Sequence, residues 1–295
     1  MGPHRRGPAL LLAGGVAVIS SAAILIRLCQ APSLAIAAYR LGIAAALLVG
    51  YDLARHRRLP PARSWPWFAS AGLFLAVHFA AWIASLRYTT VASSVVLVTT
   101  NPLFVALFAW LLGEPPDRRT LAGIVLGLGG AVLIGWGDFG GGPAPLVGDG
   151  LALIGALAMS AYLTVGRRAR AGLDARTYST WVYAVAAVLL AAAVGITGTS
   201  VGPYPAATYG WLVLLALGPQ ILGHTAINAA LAHLTAPAVA LAILGEPVGS
   251  TLLAYLVLGE VPSVSTVAGG ALILGGIALG LGGAGKPVTG RSRSP

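Results

Sequence analysis

The sequence predicts an all-α integral membrane protein, with ten transmembrane helices arranged as two inverted-topology five-helix repeats. Three observations carry this prediction. Hydrophobic residues make up 57% of the chain and charged ones only 9%, with a mean hydropathy of +0.86, whereas a soluble globular chain carries about 25% charged residues. Apolar runs of the length that crosses a bilayer, about 20 residues, recur ten times within 295 residues. The second five runs also repeat features of the first five at a nearly constant offset. At about 20 residues per crossing plus short loops, the runs occupy the whole chain, and no soluble domain fits.

Taken in order, the runs lie at about 9–28, 33–52, 66–86, 90–112, 120–136, 149–166, 177–197, 208–232, 236–258 and 266–283, each bounded by charged or Pro/Gly-rich breaks. The first run follows a basic start, "MGPHRRGPALLLAGG", which also suits a secretory signal. With nine more apolar runs behind it, it reads as a retained first helix. Two runs, 120–136 and 266–283, are short and rich in glycine. Basic residues concentrate in cytoplasmic loops, which supplies an independent check on the count. With the N-terminus inside, that side holds Arg5, Arg6, Arg55, Arg57, Arg58, Arg63, Arg118, Arg119, Arg167, Arg168, Arg170, Arg176, Lys286, Arg291 and Arg293. Arg27 and Arg87 fall outside, and Arg40 lies within the second run. One helix missed or invented would reverse every later loop and destroy that fifteen-to-two asymmetry. Ten helices with both termini cytoplasmic follow.

The same distribution disposes of nucleic acid as a partner. A net charge of +10 is the first sign of a nucleic-acid binder, but here the basic residues sit in short gaps between apolar runs, where topology accounts for them. One lysine accompanies seventeen arginines, a bias that suits a GC-rich bacterial genome and hence a bacterial inner membrane. A single cysteine, Cys29, excludes an intramolecular disulfide and a cysteine-built metal site. No metal or cofactor is expected.

The stretch "GWGDFGGGPAPLVGDG" at 135–150 is the one long glycine-rich acidic connector, and it falls midway. Around it, "LGEPPDRRTLAGIVLGLGG" (112–130) aligns with "LGEVPSVSTVAGGALILGG" (258–276) at an offset of 146. Upstream, His78 matches His224, Arg87 matches His233 and Thr89 matches Thr235. One residue of slippage then sets Asn101-Pro102 against Glu246-Pro247. Residues 8–136 thus form one repeat and 149–284 the other, joined by an extracytoplasmic linker at 137–148 and followed by a cytoplasmic tail at 285–295. Five is odd, so the second copy enters the membrane from the opposite side. Inverted repeats characterise secondary transporters, in which two similar halves exchange inward-open and outward-open shapes around a site between them.

Each half carries a proline in mid-helix, then "LFVALFAWLLGE" or "STLLAYLVLGE", then a short glycine-rich helix. With the "GEPV" to "VLGE" stretch as the closest match, this pattern resembles the EamA family of the drug/metabolite transporter superfamily over about residues 8–284. The resemblance implies that helices 1–4 and 6–9 surround a central cavity while helices 5 and 10 pack outside. It also implies export or exchange of small metabolites, notably amino acids and related compounds. Where the second half has an acid, the first half has Asn101, so the matched positions offer different chemistry.

A charge at the bilayer centre costs about 2.5 to 3.5 kcal/mol on insertion scales, so such residues face a cavity or a partner. Glu246 lies about ten residues from either end of its run, near the midplane. Pro247 cannot donate to the carbonyl of Ile243, nor Pro102 to that of Val98. Carbonyls freed within lipid need partners, which points both breaks inward; a kink stabilised by neighbouring helices is the alternative. Gly249 and Ser250 follow on the same face as Glu246 and serve either the cavity or close helix packing. Gln220, His224 and Asn228 stand at four-residue spacing along one face of the eighth run, matched in the third by Phe74, His78 and Trp82. A polar wall facing an aromatic one suits an amphipathic, zwitterion-sized solute and favours a cavity-lining stripe; interhelical hydrogen bonding is the alternative. Arg40, with Tyr39 beside it, either snorkels to the outer surface, binds a substrate carboxylate or pairs with Glu246.

The expected function is secondary transport of a small amphipathic metabolite, an amino acid or relative, outward by alternating access. Glu246, His224 and His78 are the titratable groups available if protons are the coupling ion; a homo-oligomer stays open. A passive channel is the main alternative. An intramembrane enzyme using His and Glu has little behind it: the chain has no His-x-x-x-x-Asp or His-Glu-x-x-His, and its one Gly-x-Ser-x-Gly, Gly198 to Gly202, falls in the gap between the seventh and eighth apolar runs, away from every His and Glu singled out here. A phosphate-binding Gly-x-x-x-x-Gly-Lys-Ser/Thr loop is also missing, so nucleotide hydrolysis within this chain is not expected to drive transport.

Overall fold

A computed structural model describes residues 3–55, 59–136, 141–258 and 261–283. Outside them lie Arg57, Arg58, Lys286, Arg291 and Arg293, residues 137–140 of the linker, Gly259 and Glu260 of the second Leu-Gly-Glu, and the 285–295 tail. Among the described residues ten helices are long and apolar enough to cross a membrane: α1 (Gly7–Leu28), α2 (Ser33–Ala54), α3 (Ala62–Ser85), α4 (Ser93–Leu111), α5 (Arg118–Gly135), α6 (Pro145–Ala169), α7 (Ala175–Thr197), α8 (Ala206–Ala230), α9 (Ala236–Val257) and α10 (Val264–Gly282). Each follows one of the ten apolar runs, and the short glycine-rich runs are α5 and α10. Short polar residues start several of them by accepting from the first free amides. Asp117 caps α5 through Arg119 N and Thr120 N at 2.9 Å each, and Asp174 caps α7 through Thr177 N at 3.0 Å.

The neighbours show the two-fold relation between the halves. α3 packs on α6 and α1 on α8, α2 packs on α7, and α5 packs on α10. Exchanging each helix for its counterpart five positions along maps these pairings onto themselves. The α5–α10 contact repeats this at atomic scale. Gly123 and Gly130 face Gly276 and Gly269, so closely that a Cβ on either first-half glycine would lie 2.4 Å from the opposing carbonyl oxygen. The 146-residue offset turns one of these contacts into the other. The Thr caps sharpen the sequence alignment. Thr90 accepts from Ser93 N and Thr235 from Ala238 N, so the structural counterpart of Thr235 is Thr90, and the slip precedes the helix.

Four helices are irregular. α4 breaks at Thr99–Thr100 and resumes as Asn101–Leu111; α9 breaks at Leu244–Gly245 and resumes as Glu246–Leu258. α1 stops at Ile19 and restarts at Ala22, with Ser20 and Ser21 hydroxyls donating back to the carbonyls of Val16 and Val18 at 2.8 Å. Ser250 Oγ donates to the Ser20 carbonyl at 2.8 Å, and a Cβ on Gly249 would lie 2.2 Å from Ser20 Oγ. Gly249 and Ser250 therefore pack against the α1 break. In α8, residues Ala216–His224 form a π-helical stretch around Pro219, whose missing N–H disrupts the α-helical ladder.

Both ends of the bundle are tied. On the face where the chain begins, Arg176 of α7 pairs with Asp52 of α2, and its guanidinium lies 3.9 Å from the Tyr51 ring centre. On the same face Arg167 and Arg170 donate to the carbonyls of Leu231 and Asn228 at 2.9 Å. On the opposite face Arg87 donates to Ser33 Oγ at 2.8 Å and to the Ala31 carbonyl.

Candidate functional site

The breaks in α1, α4 and α9 open onto one space enclosed with α2, α3, α6 and α8. Its polar wall is Arg40, His78, Thr99, Asn101, His224 and Glu246; its apolar wall is Ile19, Ala22, Trp82, Val98, Met159 and Ile243. The space is small, about 30 Å³, which is room for about two waters. Among the described residues, none of α5 or α10 lines it. Neither does α7, in contrast to the expectation that helices 1–4 and 6–9 all surround the cavity. α7 packs behind α2 and α3 instead.

The matched discontinuities place matched residues at the wall. Asn101 and Glu246 each begin the second half of a broken helix, with Pro102 and Pro247 next, where the absent N–H breaks no intrahelical bond. Val98 and Ile243, whose carbonyls the two prolines release, both line the space. Acid and amide thus stand at positive ends of half-helix dipoles. His78 Nδ1 donates to the Gly155 carbonyl at 2.9 Å, and its ring stacks on Trp82 at 5.9 Å and 14°. Its repeat counterpart His224 meets Phe79 edge-on, with centroids 5.3 Å apart, and its Nδ1 has no partner among the described residues.

Arg40 does not snorkel. Its side chain is fully buried and turned to the cavity, with Nε donating to Gln220 Oε1 at 2.7 Å and the guanidinium 4.1 Å from the Phe79 ring centre. Arg40 and Glu246 share this wall and act on each other electrostatically.

Three expected residues stand off the wall. Gln220 lies behind Arg40 as its hydrogen-bond partner. Asn228 accepts from Tyr162 and donates to Ser179 Oγ at 3.0 Å, in a buried cluster between α6, α7 and α8. The wider π turn between Ala216 and His224 changes the register, so a strict four-residue spacing no longer marks one face. Tyr39 donates to the Val201 carbonyl at 2.8 Å and packs edge-on against Tyr204 and Tyr209, away from the residues that line the cavity. Sequence reasoning also missed residues. Thr99 and Met159 line the wall without any signal in their apolar surroundings. Tyr183, which donates to the Gln220 carbonyl at 3.3 Å, had one, since Ser179 and Tyr183 recur at helical spacing on one face of α7.

The sequence profile of the EamA-like transporter family matches residues 7–136 and 146–281. A protein of Archaeoglobus fulgidus named as an uncharacterized transporter is 25% identical over 251 residues, which is 83% of this chain and 86% of its own length. A probable 4-amino-4-deoxy-L-arabinose-phosphoundecaprenol flippase subunit ArnE of Pseudomonas paraeruginosa is 38% identical over 72 residues, 24% of this chain and 61% of its own length. A solved crystal structure superposes with a TM-score of 0.78 at 24% identity, over 93% of this chain and 98% of its own, which shows the fold. Both halves are matched by one transporter profile, and their ten apolar helices form a multi-pass membrane fold; on that ground the chain is a member of the EamA-like transporter family.

Proposed function

We propose that the chain is a secondary transporter that exports or exchanges a small amphipathic metabolite, an amino acid or a close relative, by alternating access. The single observation that carries this reading is the cavity, which lies between the two inverted halves and is walled by their matched breaks at Asn101-Pro102 and Glu246-Pro247. A continuous pore would suit a channel; a site built from matched breaks of two inverted halves suits a carrier that exposes it to either side in turn. The wall chemistry supports the solute class. Arg40 and Glu246 offer opposite charges, and Trp82, Val98, Met159 and Ile243 offer apolar surface for a carbon body. Glu246, His78 and His224 are the groups through which protons would couple to transport. The charge asymmetry of the loops supports both termini being cytoplasmic in a bacterial inner membrane. The repeats at 8–136 and 149–284, the extracytoplasmic linker at 137–148 and the cytoplasmic tail at 285–295 complete the proposed organisation.

The test is counterflow in reconstituted vesicles with and without a proton gradient, using labelled neutral amino acids inside and an unlabelled panel outside. Saturable exchange is expected. Linear, non-saturating flux would favour a channel instead. Glu246→Gln is expected to insert normally and lose most of the exchange, and full exchange by that variant would remove Glu246 from the mechanism.

A further inference from the structure

The Arg40 side chain is fixed in a manner that leaves one edge of it unused. Gln220 Oε1 takes Nε, and the face of Phe79 holds the plane. Nη1 and Nη2 have no hydrogen-bond partner among the described residues, although the residue is 0% exposed. Buried donors left without partners are costly, and a buried guanidinium is more so. Trp82 Nε1 and Asn101 Nδ2 are also buried on this wall with no partner among the described residues. The unused groups are thus mainly donors, arranged around a cation. With Nε engaged, the guanidinium presents the Nη1/Nη2 fork, whose two parallel N–H groups match the two oxygens of a carboxylate.

We propose that Arg40 is the anchor for an anionic group on the solute, that this group is a carboxylate, and that Gln220 is the residue that positions the anchor. The inference rests on the reading of this cavity as the solute site. A phosphate also suits arginine, but Glu246 stands on the same wall, and a dianion confined beside that carboxylate meets more like-charge repulsion than a monoanion does. The aliphatic wall of Ile19, Val98 and Ile243 then takes the rest of the molecule.

The experiment measures binding by the purified full chain, so that it does not depend on transport. Three isosteric probes are titrated calorimetrically: 4-methylpentanoate, its neutral amide, and 3-methylbutylphosphonate. Wild type is expected to bind the carboxylate at least about tenfold tighter than the amide, as a charge-assisted pair requires, and tighter than the phosphonate. Arg40→Gln is expected to abolish the carboxylate-to-amide ratio, and Arg40→Lys to retain only part of it. Gln220→Leu is expected to reduce the ratio with little loss of amide binding, which a merely structural role would not do. An amide bound as well as the carboxylate by wild type, or saturable binding of none of the probes, would overturn the anchor without recourse to any variant. Preference for the phosphonate would reassign the site to phosphate-bearing solutes and overturn the carboxylate. Carboxylate selectivity in a chain that shows no counterflow would sink the transport reading and leave the anchor standing. Counterflow indifferent to the carboxylate would do the reverse.

Discussion

Asn228 illustrates how a polar side chain can be structural in a membrane protein. It accepts from Tyr162 and donates to Ser179, so truncating it takes the partner from the buried Tyr162 hydroxyl and one of the bonds from Ser179. Asn228→Leu is expected to lower stability by about 1–3 kcal/mol, read from the unfolding midpoint in detergent, while the binding selectivity at Arg40 stays intact. A loss of selectivity with unchanged stability would put Asn228 back at the cavity. Outside the membrane, Asp174 caps α7. Its burial alone would raise the carboxyl, but the hydrogen bonds from Thr177 and the charge of Arg170 outweigh that and hold it below the usual carboxylate range. A lowered folded value means that the stabilisation is present above the unfolded value and is lost as pH falls through the folded one. Asp174→Ala is therefore expected to cost about 1 kcal/mol at neutral pH. That cost should vanish on strong acidification; a deficit that persists there would show that the charge is not what the cap supplies.

Among the elements, α5 and α10 make the most constrained contact. Gly130→Ala places a methyl 2.4 Å from the Gly269 carbonyl oxygen, with backbone on both sides and nothing flexible to yield. A loss of about 1–3 kcal/mol is expected from such overpacking. Gly129→Ala, with nothing within 4 Å, should be neutral or slightly stabilising. Equal effects of the two in a thermal melt would argue against the glycine seam. The glycines of this seam were legible as a repeat but not as a contact, because a repeat shows which residues correspond and not which ones meet. The helices themselves were legible, since length and hydropathy are what a bilayer demands of each one separately. Breaks marked by proline in α4 and α9 could be read for the same reason. The α1 break could not, because nothing at Ser20-Ser21 requires it until Gly249 and Ser250 approach from α9. Pro219 did mark the π stretch of α8, which shifts the register of Asn228. Arg40 was ambiguous in sequence because its direction depends on whether Gln220 reaches it, which is a matter of tertiary structure.

For the molecule as a whole, a site between inverted halves serves a carrier only if its two ends open in alternation. The ties at each end are modest. The half-buried Arg176–Asp52 pair joins the halves and, discounted for screening, contributes about 1 kcal/mol, while the Arg87 bonds hold α2 to α3; removing either should shift the balance between open forms without locking one of them. In a Cys29→Ser background, which removes the chain's only native thiol, Val98→Cys places a reporter on the cavity wall. Arg176→Gln, which breaks the pairing with Asp52, is expected to raise labelling by a membrane-impermeant maleimide about two- to fivefold from the face where the chain begins, and to lower it from the other. Arg87→Gln, which releases Ser33 and Ala31, should do the opposite. The two-fold relation between the halves makes the reciprocity necessary, because opening one end of paired inverted repeats closes the other. Either substitution raising labelling from both faces at once would describe a leak through a pore, and alternating access would have to be abandoned for this chain.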